Sequence, residues 1–345
     1  MNICLATYQS AVLLKGGPRT QIFQTKRCLE ELGVNVTLFE SWQEFRADKV
    51  DLIHLFGANI GTYHLAREIH KLGVPMAVTP IFFSRHAVPF LRVVTGIDGL
   101  VRRFVRGTWI DYGLVADICS WARVVLPNTK REAYLLEKGL GVDKDKITVI
   151  PNGVEERFYY GDPALFKQQY EVDNFVLNVG HIGPGRKNVL RLIRALEKIN
   201  VSAVIIGRIE HNEYGRRCCE EAKKNPRVLI LDTIPNESDL LPSAYAACDV
   251  FVLPSLFETP GIAALEAALA GAKIVISKHG GTEEYFGSHA EYVEPTSVEL
   301  IHHGIVTALN KKRDGTLRER MRKEFLWERV AAQTRDVYEN VLTSR

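Results

Sequence analysis

Little in the sequence ties it to a special environment, and each shortage excludes something. The six cysteines (Cys4, Cys28, Cys119, Cys218, Cys219, Cys248) form no CxxC pair and have no histidine at metal-ligand spacing. That excludes a zinc module and a disulfide framework and leaves reduced, mostly buried thiols. Met1 runs straight into Ile3-Cys4-Leu5-Ala6, which lacks the basic start of a signal peptide and is far too short to span a bilayer, so a cytoplasmic chain is expected. A formal net charge of +3 is too small to argue for nucleic acid as a partner. The glycines at 180, 183 and 185 run GxxGxG rather than GxGxxG, which argues against a nicotinamide enzyme. No G-x-S-x-G elbow accompanies Ser84 and His86, so hydrolase chemistry is rejected.

What is present describes a globular α/β protein. Hydrophobic residues are 46% and charged residues 25% of 345, a length that favours two domains. Short apolar runs alternate with amphipathic stretches, the pattern of parallel sheets covered on both faces. One series of predicted strands is Asn2-Ala6, Asn35-Phe39, Leu52-Phe56, Met76-Thr79, Val124-Pro127 and Ile147-Ile150. A second is Phe175-Val179, Ala203-Ile206, Val228-Leu231, Val250-Leu253, Lys273-Ile276 and Tyr292-Glu294. Between them, Pro151-Asn152-Gly153 is a turn signal, and the polar, aromatic-dotted stretch that follows reads as a linker. The expected division is an N-terminal domain over 1–155, a linker over 156–173, a C-terminal domain over 174–324 and a helix over 325–345 crossing back to the first domain.

Three constellations carry chemistry. In Leu253 to Glu266 a buried strand ends, a loop with two prolines follows, and a helix rich in Ala and Leu starts near Gly261. Ligands of open parallel sheets bind at the carboxyl ends of the strands, and a helix N-terminus there offers N–H groups to an anion. Glu258 precedes that helix and Glu266 lies inside it, so the two can flank a ligand. A cap and a solvated face residue are the plain alternatives, although Ala267 to Ala272 make the surroundings of Glu266 look buried, where Glu is rare unless paired. The second constellation, Val179 to Asn188, joins glycines that admit a phosphate to the cations Arg186 and Lys187. The third, Lys15-Gly16-Gly17-Pro18-Arg19, is a glycine loop between the first strand and first helix. Asp143-Lys144-Asp145 has the spacing of a metal-binding DxD but sits in a charged turn and is read as solvated, so no metal site is assigned.

Taken in order, these residues resemble the large family of retaining GT-B glycosyltransferases of the group 1 (family four) type. The resemblance runs through the Gly16-Gly17 loop, Lys146 to Val154, the Gly180 to Asn188 loop, Ala247 to Ser255, the Glu-x7-Glu pair Glu258 and Glu266, and Gly280 to Glu284. It implies two Rossmann-like, doubly wound parallel-sheet domains facing a cleft. It also implies transfer of a sugar, with retention and without a metal or other cofactor, from a nucleotide-diphosphate sugar to a sugar, lipid-linked or small-molecule acceptor. Arg186 and Lys187 would then hold the donor diphosphate, Glu258 would lie beside the sugar and Glu266 at the ribose. Gly16, Gly17, His181, Gly261 and Ile262 would serve donor binding, and Ile234 would meet the base through its main chain. His181 stands where many members have Arg. Members often carry a His at the position of Ile81, for which His86 is the nearest substitute on the acceptor side. A GT-B epimerase or phosphorylase, and a non-catalytic sugar-nucleotide-binding scaffold, remain as alternatives.

Residues 90–110 interleave four arginines and one aspartate with Leu, Val, Phe and Trp. That is the composition of an interfacial helix that meets an anionic membrane surface, placing the chain peripherally at the inner face of the cell membrane. Glycines at 96, 99 and 107 argue against one continuous helix, and packing on the domain core is the competing expectation.

Overall fold

The computed structural model describes residues 1–13, 16–105 and 107–343; Lys15 of the first glycine loop and Arg106 of the 90–110 segment lie outside the described residues. The chain divides into two units, Met1–Gly153 with Trp327–Arg345, and Val154–Leu326.

In the first unit β1 (Asn2–Thr7) leads into α1 (Gly17–Glu31), followed by β2 (Asn35–Leu38), β3 (Leu52–Phe56), α2 (Ile60–Lys71) and β4 (Met76–Thr79). Then come α3 (Val88–Phe104), α4 (Asp111–Trp121), β5 (Val124–Val125) and α5 (Lys130–Tyr134). The strands pair in parallel in the order β2-β1-β3-β4-β5. The order reverses between β1 and β3, so the loop leaving β1 lies at a switch point of the sheet.

The second unit runs α6 (Pro163–Tyr170), β6 (Val176–Val179), α7 (Val189–Leu196), β7 (Ala203–Ile206), α8 (Glu213–Ala222), β8 (Val228–Leu231) and α9 (Leu240–Ala247). It continues with β9 (Val250–Leu253), α10 (Ile262–Ala270), β10 (Lys273–Ser277), α11 (Thr282–Phe286), β11 (Ala290–Val293), α12 (Val298–Asn310) and α13 (Thr316–Glu324). Its parallel order, β11-β10-β9-β6-β7-β8, reverses between β6 and β9. The loops that leave those two strands are the ones that carry Arg186, Lys187 and Glu258. The chain then returns to the first unit as α14 (Trp327–Thr343), which buries Trp327 and Tyr338.

Three expectations are corrected. Ile147-Ile150 is no strand: Thr148 and Ile150 donate N–H bonds to Val125 and Pro127, but Pro127 has no N–H to return and the pairing stops at one bridge. The stretch 156–173 is no linker, because Phe158 and Phe166 are fully buried against Phe175 and Tyr245 in the core of the second unit. Gly161-Asp162-Pro163 between them puts the two rings in separate short elements, so no run of apolar positions links them in the sequence. Gly96 and Gly99 do not break α3, which is continuous from Val88 to Phe104. The helix is held across them by Asp98, which accepts the Ile110 N–H and pairs with Arg102.

β3 is buried along its whole length and contains a histidine. The ring of His54 is 2% exposed, with Nδ1 at 2.5 Å from the Tyr338 hydroxyl and Nε2 at 2.8 Å from that of Thr79. Burial pulls its pKa from 6.5 down to about 3. The folded chain therefore keeps this ring neutral in a range where the unfolded chain protonates it, so stability is lost as the pH falls below 6.5 and is unaffected above. Taking the protein from about pH 7 to about pH 5 should cost about 2 kcal/mol at this residue. Urea unfolding of wild type and His54→Gln at both values checks this, with the smaller acid loss expected in the variant.

Candidate functional site

The loop that leaves β6 is fastened to the loop that leaves β9. Asn188 ends a tight turn over Gly185–Lys187, lies in the left-handed region (φ 61) and is fully buried. Its Nδ2 donates to the carbonyls of Pro254 (2.9 Å) and Pro295 (2.6 Å), and its Oδ1 accepts from Arg191 (2.8 Å). The Leu256 N–H donates to the carbonyl of Arg186 at 2.8 Å. These bonds bring two cations onto one carboxylate. Lys187 Nζ lies 2.7 Å and Arg186 Nη1 3.4 Å from Glu258 Oε1. Arg186 also donates to the Phe257 carbonyl and lies over the Phe257 ring.

Glu258 is held on its backbone as well. Its N–H donates to His279 and its carbonyl accepts from Gly281. Gly280 (φ 117) passes so close that a Cβ there would sit 1.7 Å from the Glu258 carbonyl oxygen, which is why glycine is needed. Burial alone would raise the pKa of Glu258, but the charges of Lys187 and Arg186, with the hydrogen bond from Lys187, lower it below the ordinary value. The carboxylate is ionised, and the cluster keeps one positive charge in excess.

Gly261 (φ 79) caps α10 and Ile262 opens it, so the first-turn N–H groups of a helix that follows β9 have no partner within the helix. Glu266, inside α10, is 7% exposed and accepts the Tyr245 hydroxyl at 2.7 Å. Burial pushes its pKa up to about 7, against the Tyr245 hydrogen bond; Glu155 adds to the rise and Arg157 opposes it. His181 follows β6 and Ile234 follows β8, with the Ile234 side chain in the core. Arg186, Lys187, Glu258, Gly261, Ile262, Glu266, His181 and Ile234 all belong to the second unit. Sequence reasoning missed three residues there: Asn188 as the tie, Tyr245 and Arg157. Only the left-handed preference of Asn before a helix signalled any of them.

Gly16, Gly17 and His86 belong to the first unit. Gly16 caps α1 and Gly17 opens it, after β1. His86 is exposed, lies against the Phe90 ring and donates its N–H to Ser84 Oγ. Ile81 itself occupies the left-handed region (φ 54), unusual for a β-branched residue. The adjoining Phe82 N–H donates to buried Glu132, which also accepts from the Asn128 N–H. Asp143 accepts the Asp145 N–H in an exposed turn, as expected for a solvated DxD.

Two family profiles match the chain: "Glycosyl transferases group 1" over residues 165–325 and "Glycosyltransferase Family 4" over residues 38–158. The UDP-Gal:alpha-D-GlcNAc-diphosphoundecaprenol alpha-1,3-galactosyltransferase of Escherichia coli is 28% identical over 71% of this chain and 62% of its own length. The chain spans roughly half the length of other curated relatives it matches, 54% and 48% for two of them. Among solved structures, sucrose-phosphate synthase from Thermosynechococcus elongatus superposes with a TM-score of 0.80 at 18% identity, over 100% of both chains. Anabaena HepE in complex with UDP-glucose superposes with a TM-score of 0.71 at 17% identity, over 98% of this chain and 99% of its own. These likenesses establish a shared two-domain GT-B fold.

Asn188→Ala leaves two buried carbonyls without their donor and places Ala in a left-handed conformation. We expect it to cost about 3 kcal/mol of stability in urea unfolding. It should also loosen the contact of Lys187 with Glu258.

Proposed function

The chain belongs to the group 1 glycosyl transferases, and on that premise we propose that it transfers a sugar from a nucleotide-diphosphate sugar to an acceptor bound by the first unit. The observation that carries this reading is the cluster of Lys187, Arg186 and Glu258 at the strand-order reversal of the second unit. In the proposal the diphosphate takes Lys187, Arg186 and the N–H groups of Gly261 and Ile262, which neutralise the charge that grows on the leaving group. Glu258, freed from Lys187, lies beside the sugar. Glu266 accepts from the ribose hydroxyls, and the Ile234 main chain meets the base. Gly16, Gly17 and His181 serve the donor in the same reading, and His86 the acceptor. HepE, solved with UDP-glucose, supports a nucleotide sugar as donor. Retention at the anomeric carbon is part of the proposal and rests on the Glu-x7-Glu likeness. Independence of metal and of any other cofactor is also part of it, because two cations and a helix start supply the positive charge at the diphosphate.

The first test is transfer from a panel of nucleotide sugars. Lys187→Ala and Glu258→Ala, both folded, should each lower the rate by about 10²-fold or more, as loss of one preorganised charge contact does. Wild-type activity should survive EDTA. Unchanged rates in either variant would remove this site from the reaction. Turnover without an added acceptor, or only with phosphate, would favour the epimerase or phosphorylase reading, and donor binding without transfer or hydrolysis the scaffold.

An anionic membrane surface is the proposed setting of the acceptor side, with the chain cytoplasmic and peripheral. Among its described residues α3 buries only Leu91 and Asp98 and turns Phe90, Val93, Ile97, Leu100 and Phe104 outward, with Trp109 exposed beyond its end. Its inward side instead holds the Asp98–Arg102 pair, and Arg102 reaches Asp117 at 2.6 Å. A helix on a water-facing surface has the opposite polarity. The E. coli relative, named for a diphosphoundecaprenol substrate, supports a lipid-linked acceptor. No helix among the described residues is long and apolar enough to cross a membrane. Cosedimentation with anionic vesicles at low salt should be lost in high salt, since each arginine contributes about 1 kcal/mol at such a surface. Ile97→Asp should abolish it, and equal lack of binding to anionic and neutral vesicles would overturn this setting.

A further inference from the structure

The segment that opens the second unit holds the loop after β8 through two charged side chains. Arg157 lies in the short helical turn Glu156–Tyr160, with its guanidinium 4.5 Å from the centre of the Phe158 ring. That fork donates to two carbonyls of the loop after β8: Nη1 to Ser238 at 3.4 Å and Nη2 to Asn236. Its Nε lies 3.4 Å from Glu155 Oε2, and the other Glu155 oxygen accepts the Asn236 side-chain N–H at 3.3 Å. The loop is therefore fastened from one side by a pair of opposite charges. Ile234, in the same loop, buries its side chain. Among the described residues its main-chain N–H and C=O bond to no other protein group. Those two groups are left for a ligand. The same pair acts on Glu266, which Arg157 attracts and Glu155 repels, while Tyr245 donates to it.

We infer that Arg157 and Glu155 are positioning residues of the donor site, which hold the 232–239 loop so that the Ile234 main chain is presented. The inference rests on the reading of the second unit as the site of a nucleotide-diphosphate sugar. Glu266 must be ionised to accept hydrogen bonds from both ribose hydroxyls. Its pKa of about 7 in the free protein makes donor affinity fall as the pH drops through neutrality. Removing the positive charge of Arg157 moves that midpoint up, and removing the negative charge of Glu155 moves it down. A merely structural residue would move neither.

The experiment measures affinity by titration calorimetry from about pH 5.5 to about pH 8.5, with thermal unfolding alongside. UDP-glucose, GDP-mannose and ADP-glucose are the probes, because their doubly esterified diphosphates do not titrate in this range. The probe that wild type binds is then tested on Arg157→Gln, Arg157→Lys, Glu155→Gln and Glu266→Gln. Arg157→Gln should bind roughly tenfold more weakly at high pH, the loss of a fork of charge-assisted hydrogen bonds, and show the raised midpoint. Arg157→Lys should keep the midpoint near that of wild type while binding weakly, because an ammonium restores charge but not the fork. Glu155→Gln should lower the midpoint, and Glu266→Gln should abolish the part of the pH dependence due to that carboxylate. Unchanged affinity and midpoint in folded Arg157→Gln, beside weakened binding in Glu266→Gln, would overturn the inference and leave the donor site standing. A lowered unfolding temperature with an unmoved midpoint would overturn it too. If Arg157→Gln does not fold, the Glu155→Gln shift decides. Binding of none of the three probes by wild type would overturn the donor-site reading itself.

Discussion

Where the order of a parallel sheet reverses, two strand ends diverge, and the chains leaving them must be tied together before charges from both can meet. In the second unit Asn188 makes the tie. Its side-chain amide reaches the carbonyls after β9 and β11 from the end of the loop after β6. Everything chemical here follows from that span. Lys187 and Arg186 come from one loop and Glu258 from the other, so the ion cluster exists only while the loops stay fastened. A long surface side chain, with its many rotamers, would hold them less firmly than a short amide with no freedom left.

The two glutamates, one before α10 and one inside it, show how surroundings set chemistry. Glu258 lies before α10, where two cations compensate its burial and hold it ionised. Glu266, two turns on, lies against a tyrosine and a carboxylate with only one cation near, and burial dominates. The same side chain is thus a fixed charge at one place and a titrating group at the other. Neither outcome is intrinsic to glutamate, and each is written by the residues that face it.

Much of this was legible in the sequence. The strands of both sheets read correctly because buried parallel strands are short apolar runs, and the loops that leave β6 and β9 were legible as strand exits because glycine, proline and paired charges mark them. The failures share a physical cause, which is dependence on partners remote in the chain. Ile147-Ile150 has strand composition, but Pro127 withholds the N–H that pairing requires. Phe158 and Phe166 lie in separate short elements, and each fills a gap in a core built by later segments. Arg157 lies in the stretch read as a linker, and its partners, the Ser238 and Asn236 carbonyls, come 81 and 79 residues later. α3 kept its helix across two glycines because the Asp98–Arg102 pair lies on its inner side, an arrangement that no count of apolar positions reports.

The return of α14 to the first unit has a consequence for synthesis. The partner of His54 in the β3 core is Tyr338, 284 positions later in the chain. At ribosomal speeds the two are made roughly 15–60 s apart. Once Val125 is made the first unit has all its strands, and until Tyr338 follows it lacks the hydroxyl that meets its buried imidazole. The second unit is continuous in the chain and complete once Leu326 has emerged, so it finishes first although it starts later. The core of the first unit is therefore completed only after the whole second unit has been synthesised.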